Sequence, residues 1–235
     1  MNLHEDVANK IRDAERHFKD HVAIHKAIAD CKISILDWRE PNSPHYAMRV
    51  VFDNERGSRV YISGDLGEAV IYPTCPATLD NFVNCFTMRT KEGFIDLREG
   101  YFLEKVKTSS DRYCWSREDF VEDFIARVER YQVDGEFHGL DIYEFLEDHV
   151  GYNGGVFEPF YEGGIEIDSD TGIKIDEDVK CVLTEADCDY WEWFYDCGKR
   201  INPRIILWLV GVRLAWEQLR NMKFQPEVCL GKGVK

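Results

Sequence analysis

The residues with the most chemical potential are carboxylates at two-residue spacing. Three Asp-x-Asp steps lie close together: Asp168/Asp170, Asp176/Asp178 and Asp187/Asp189. In an extended segment the side chains of residues i and i+2 point the same way, so each step offers two carboxylates to one hard divalent cation. Asp168-Ser169-Asp170-Thr171-Gly172 has the beginnings of a calcium loop, but Gly172 falls one place early and Val179 stands at the twelfth position, where an EF-hand needs Glu. A common metal-dependent nuclease arrangement adds a Glu-x-Lys step, and none occurs in the chain. That absence lowers the reading of a metal-dependent enzyme acting on nucleotides or nucleic acid, which stands as the alternative. His17, His21 and His25 recur every fourth residue, which on a helix makes a stripe. The step His17-Phe18-Lys19-Asp20-His21 lacks the Glu of a zincin, so a half-exposed polar seam is expected rather than a metal site.

Covalent catalysis has less support. The chain has no Gly-x-Ser-x-Gly elbow, and Gly64-Asp65-Leu66-Gly67 has no following Gly-Lys-Ser/Thr that would make it a phosphate loop. Its Asp would repel phosphate, and the tetrapeptide reads as a hairpin turn. Eight cysteines (Cys31, Cys75, Cys85, Cys114, Cys181, Cys188, Cys197 and Cys229) form no CxxC pair and no zinc-finger spacing, and read as buried thiols. No catalytic residue, metal or cofactor is expected.

Charge is distributed unevenly. The window from Asp134 to Asp196 holds 19 Asp and Glu against Lys174 and Lys180, a formal charge of −17 in a chain whose total is −15. Such a surface disfavours direct nucleic-acid binding, which needs clustered Lys and Arg, and favours cations or basic proteins. Tyr, Trp and Phe run through the window, so it reads as folded rather than as a disordered acidic tail. On a helix, Tyr190, Trp193, Phe194 and Cys197 share one face and can be core, leaving Trp191 and Tyr195 beside Asp187, Asp189 and Glu192. Aromatics among carboxylates suit an Arg-rich surface through cation–π contacts and charge-assisted hydrogen bonds. The candidate partner-binding residues are therefore Trp191, Tyr195, Glu192, Asp187 and Asp189, together with Asp168, Asp170, Asp176 and Asp178. Glu158, Tyr161, Glu162 and Glu166 extend the set upstream.

These side chains must be positioned by elements whose signals are uneven. Residues 3 to 30 read as an amphipathic helix through Leu3, Val7, Ile11, Ala14, Phe18 and Val22. The segments 33–38, 46–53, 59–63 and 68–72 are rich in β-branched and aromatic residues separated by turn signals, and predict an antiparallel meander. Thr78 or Asp80 can cap a helix through Phe86, and Ser116, with Asp119 at the capping-box position, one through Tyr131. Leu140 to His149 suggests another, closed by Gly151, and 151–172 reads as a loop or irregular hairpin. Thr184 is expected to cap a helix to about Lys199, and Asn202-Pro203 to start a last, buried helix to about Met222. The result is an α+β protein: an N-terminal helix, an antiparallel β-meander, then a mainly helical acidic C-terminal half ending in a buried helix. One domain over 1–235 is expected, with 1–133 and 134–235 as a possible subdivision. There is no basic, apolar N-terminal leader, and the longest apolar run, Ile205 to Val212, is far short of a membrane span, so a soluble cytoplasmic protein is expected.

The meander resembles uncharacterised proteins of bacteriophages and prophages in which a strand pair passes through a Ser/Thr-Gly-Asp-Leu-Gly turn. The matching pieces are Tyr46 to Phe52, Ser63-Gly64-Asp65-Leu66-Gly67-Glu68-Ala69, Gly100-Tyr101-Phe102 to Lys105, and Tyr113 to Asp119, within residues 30 to 125. The resemblance implies a mobile-element origin and brings no catalytic residues. Small acidic phage proteins often block host defence machinery, CRISPR effectors among them, by occupying nucleic-acid sites. The expectation is a phage-encoded acidic inhibitor acting in the bacterial cytoplasm as a nucleic-acid mimic. Its partner would be the basic surface of a nucleic-acid-binding host complex.

Overall fold

The computed structural model describes residues 3–28, 32–55, 57–109, 112–134, 137, 139–158 and 163–223. In chain order the elements begin with α1 (Leu3–His17), β1 (Val22–Ile28), β2 (Ile33–Arg39), β3 (Met48–Asp53), β4 (Arg59–Gly64) and β5 (Ala69–Ile71). Then come α2 (Leu79–Phe86), β6 (Thr87–Arg89), β7 (Ile95–Leu97), α3 (Glu99–Lys105) and β8 (Val106–Ser109). They are followed by β9 (Tyr113–Trp115), α4 (Arg117–Asp134), α5 (Ile142–Val150), β10 (Tyr152–Asn153), β11 (Val156–Phe157), β12 (Ile165–Asp168) and β13 (Gly172–Ile175). The described residues end with α6 (Glu177–Ala186), two 3-10 turns (Tyr190–Glu192 and Phe194–Asp196), β14 (Lys199–Ile201) and α7 (Pro203–Lys223). The class is α+β. Two compact units result: Met1–Arg112 together with Pro203–Lys235, and Tyr113–Asn202. Neither boundary falls at 133/134.

The first unit is built on an antiparallel sheet of order β1-β2-β3-β4-β5-β8. Period-two alternation puts Leu36, Trp38, Val50, Phe52, Val60 and Ile62 on one buried face. Helix α7 packs on α1, α2, β1 and β2, contributing Trp208, Leu209, Val212 and Ala215, all buried. Gln218 of α7 accepts from the Ala23 amide (2.7 Å) and donates to the His21 carbonyl (3.1 Å), which ties the start of β1 to that helix. The meander turn between β4 and β5 requires its glycines. Gly64 has φ +134°, and a Cβ there would lie 2.3 Å from the Ala47 carbonyl oxygen. Asp65 completes the turn by accepting the Tyr46 amide at 2.8 Å.

The N-terminal segment corrects the helix expected over 3–30. Helix α1 ends at His17, and Val22–Ile28 forms an edge strand paired with β2 along its whole length. Val22 follows Phe18 at helical spacing by coincidence. The β-branched Val22, Ile24 and Ile28 find a complete hydrogen-bonding partner in β2, a tertiary gain invisible to local periodicity. The expected histidine stripe is lost with the helix. His17 is at the helix end, His21 is buried in the turn beside Phe18 and Trp38, and His25 is exposed in β1.

The second unit has an aromatic core. Phe120 and Phe124 of α4 meet Phe145 of α5, Phe194 and Trp193 at centroid distances of 5.2–6.1 Å. Ser116 caps α4 by accepting the Asp119 amide (3.1 Å), and its hydroxyl donates back to the Asp119 carboxylate (2.8 Å). Asp141 caps α5, and Gly151 ends it in the left-handed region. The stretch expected to be irregular contains two hairpins, β10–β11 and β12–β13.

The expected 184–199 helix is replaced. Asp176 caps α6, accepting the Val179 amide at 2.9 Å, while the Thr184 hydroxyl donates to the Lys180 carbonyl inside that helix. Asp187 then stops the helix: its side chain accepts the Asp189 amide (2.8 Å) and the Trp193 indole N–H (3.3 Å). An Asx turn of this kind competes directly with continued helix, so 190–196 closes as 3-10 turns.

Candidate functional site

The charge imbalance coincides with the fold. Tyr113–Asn202 holds 24 Asp and Glu against 7 Lys and Arg, a net −17, which leaves +2 on the rest of the chain. Within this unit several bases are already committed. Lys180 pairs with Glu177 (2.5 Å), Lys199 with Asp196 (2.7 Å), and Arg200 with Asp123 (2.7 Å) and Asp119 (3.2 Å). The Arg127 guanidinium lies over the Trp193 ring, and Lys174 stands opposite Glu166 in the β12–β13 register. Most of the described carboxylates of this unit are exposed, and acids outnumber bases in it by more than three to one.

In the three Asp-x-Asp steps one carboxylate of each pair is already engaged. In each, the first Asp accepts a backbone amide. Asp168 accepts the Asp170 amide (3.0 Å), the Thr171 amide (2.6 Å) and the Thr171 hydroxyl (2.8 Å), closing the β12–β13 turn. Those bonds, the Thr171 amide foremost, hold its carboxyl below the ordinary Asp value. Asp176 and Asp187 are engaged as the cap and the helix stop just described. The second members, Asp170, Asp178 and Asp189, are exposed, and Asp170 accepts the Ser169 hydroxyl. Chelation by an i/i+2 pair is thus disfavoured by hydrogen bonding already present. Among the described residues no group of three or more His, Cys, Asp or Glu is placed to hold a metal ion.

The aromatic segment divides as its spacing suggests, although the backbone is not α-helical. Tyr190, Trp193, Phe194 and Cys197 are buried, whereas Trp191 is 58% and Tyr195 40% exposed. A 3-10 turn has a period of three residues, close enough to 3.6 for the same positions to face inward. Tyr195 lies near Lys180 and Tyr190, and burial, then the neighbouring Tyr195 hydroxyl, push the Tyr190 phenol above its ordinary value. Glu158, Glu166 and Glu192 are exposed, while Tyr161 and Glu162 lie outside the described residues.

Sequence reasoning missed a second cluster of the same character. On α5, Tyr143 is 57% exposed and shares its helix side with Glu147, beside Glu144, while Ile142, Phe145, Leu146 and Val150 are buried. The signal was present: an Asp cap at 141 sets the helix phase and puts Tyr143 and Glu147 four residues apart on the outer side. Cysteine exposure also departs from expectation. Cys197 is buried, and burial pushes its thiol up to about 12, unfit for a nucleophile, but Cys181 and Cys188 are exposed. Cys31 and Cys229 lie outside the described residues.

No known protein family, curated protein or solved structure matches the chain. No helix among the described residues is long and apolar enough to cross a membrane.

Proposed function

We propose that the Tyr113–Asn202 unit is a binding surface for a basic protein. Its partner is of the kind that grips nucleic acid, and the chain competes for that grip. The observation that carries this reading is the placement of the whole −17 on one folded unit, with Trp191, Tyr195 and Tyr143 exposed among its carboxylates. A folded unit carrying that charge presents negative groups to a cationic groove without first ordering a loose chain. The exposed rings supply cation–π contacts to arginine, and the field speeds association. In its sharper form, which draws on the phage-like meander, the partner is a host defence complex such as a CRISPR effector and the outcome is inhibition.

The metal-enzyme reading is less favoured, because the first carboxylate of every Asp-x-Asp step is already engaged by backbone amides. The test is a pull-down from bacterial lysate with the full chain, partners identified by mass spectrometry, at low and high salt. The proposal expects basic nucleic-acid-binding proteins, released as salt rises and lost with the Asp178→Lys/Glu185→Lys/Glu192→Lys triple variant. Salt-indifferent capture, or capture of acidic partners, counts against it.

A further inference from the structure

Outside the acidic unit, the first unit brings two thiols together. Cys75, in the loop after β5, and Cys85, on α2, lie with their Sγ atoms 3.2 Å apart, both half-buried. The surrounding bonds fix both sides of the pair. The Asn54 side chain accepts the Ala77 amide (2.7 Å) and donates to the Ala77 carbonyl (2.8 Å), and Asn81 of α2 donates to the Pro76 carbonyl (2.9 Å). Thr78 caps α2, and Thr74 shares a hydrogen bond with the Tyr101 hydroxyl (3.1 Å). The loop is anchored on either side of Cys75, and Cys85 is flanked in the helix by buried Val83 and Phe86. A disulfide needs sulfurs about 2.05 Å apart, so closure asks the two Sγ atoms to approach by about 1 Å.

We propose that Cys75 and Cys85 form an oxidation site, closing to an intramolecular disulfide in exchange with a low-molecular-weight disulfide such as oxidised glutathione. One cysteine thiolate attacks a glutathione sulfur, forming a mixed disulfide and releasing the first glutathione thiolate. The other cysteine, as thiolate, displaces the second glutathione. Two protein thiols are oxidised by two electrons, one glutathione disulfide is reduced to two thiolates, and the two cysteine protons pass through solvent to those thiolates to give two glutathione thiols. Burial, then the hydrogen bond with Cys85, pushes the Cys75 thiol up to about 11, so exchange through that sulfur is slow at neutral pH and faster in mild alkali. The bond would tie the loop after β5 to α2, which itself packs on α7, and so staple the first unit while leaving the acidic surface unchanged.

The experiment titrates the full native chain with mixtures of reduced and oxidised glutathione, followed by acid quench, alkylation and peptide mapping. The expected result is a crosslinked pair of peptides carrying Cys75 and Cys85, absent in Cys75→Ser and in Cys85→Ser. The ten-residue separation predicts a rise in thermal midpoint of roughly 5 °C on oxidation. The Cys75→Ser/Cys85→Ser double variant should melt as reduced wild type does and show no response, which separates loss of the bond from loss of the fold. Accumulation of mixed disulfide at Cys75 or Cys85 without closure would overturn the proposal, as would closure with other cysteines instead. Exposed Cys181 and Cys188 report in the same sample that the oxidant reached the protein.

Discussion

Replacing Asp176 and Asp178 one at a time separates the two roles within a single Asp-x-Asp step. Asp176 accepts the Val179 amide at the start of α6, and its own amide donates to the Gly164 carbonyl (3.0 Å), so the side chain is fixed where the helix begins. Alanine there loses the cap, about 1 kcal/mol, and a negative charge at the positive end of the helix dipole, about 0.5 kcal/mol. The sum is about 1.5 kcal/mol. With a urea slope of about 2 kcal/mol per M, the midpoint should fall by roughly 0.7 M. Asp176→Asn keeps an acceptor and should lose only the charge contribution. Asp178 is exposed in the first turn, and what Asp178→Ala loses in dipole attraction it regains in helix propensity, so its midpoint should barely move. The assay is urea unfolding followed by tryptophan fluorescence, with Trp193 in the same core as Val179 and Leu183. Equal costs for the two alanines would refute the assignment of the first Asp to backbone and the second to solvent. So would stabilisation by Mg2+ or Ca2+ that either variant removes.

Other outcomes follow from the same geometry. Gly198 has φ +70°, and an added Cβ would sit 2.7 Å from the Phe120 amide nitrogen, which cannot yield. Gly198→Ala should therefore cost about 2–4 kcal/mol in urea unfolding, whereas Gly100→Ala, with open space around it, should cost nothing. His21 is buried, and desolvation holds it below its ordinary value, so the unfolded chain binds the extra proton first. Its contribution is present above the unfolded pKa near 6.5 and is lost as pH falls through that value towards the lower folded one. His21→Phe should flatten that limb of the stability–pH curve, measured by urea midpoints between pH 5 and 8. Glu217 of α7 is bracketed by Arg89 and Arg213, both at 2.6 Å; burial raises its pKa, but the two arginines outweigh burial and hold it below the ordinary Glu value. Glu217→Gln should destabilise by about 1–3 kcal/mol at neutral pH, with the difference narrowing in acid.

The legible parts of the fold were those with a chemical start or stop signal. Thr78, Ser116 with Asp119, Gly151 and Pro203 mark helix ends by hydrogen bonding or by φ preference, and each helix lies within a few residues of its signal. The failures came where local pattern met a longer-range competitor. Val22–Ile28 carries helical spacing yet takes the ladder that β2 offers. Thr184 has the chemistry of a cap but lies inside a helix that Asp176 had already started. The exposed and buried aromatics of 190–197 were legible despite a wrong helix type, because a 3-10 turn and an α-helix turn the same positions inward. The commitment of Asp168, Asp176 and Asp187 to backbone amides was not legible, since only the turn geometry shows which carboxylate of a pair meets an amide. The coincidence of charge and unit was hidden too, because the flanks that complete the unit are neutral overall.

The most direct test of the acidic unit as a competitor for a basic nucleic-acid-binding surface is displacement. A labelled DNA duplex is bound to a reconstituted CRISPR-type effector, the full chain is titrated in, and bound DNA is followed by fluorescence anisotropy at 50 and 200 mM salt. The expected result is displacement that weakens steeply with salt, weakens further in Trp191→Ala/Tyr195→Ala, and disappears in Asp178→Lys/Glu185→Lys/Glu192→Lys. Bound DNA that is undisturbed by the wild-type chain, or displacement indifferent to salt and to those lysines, would contradict it.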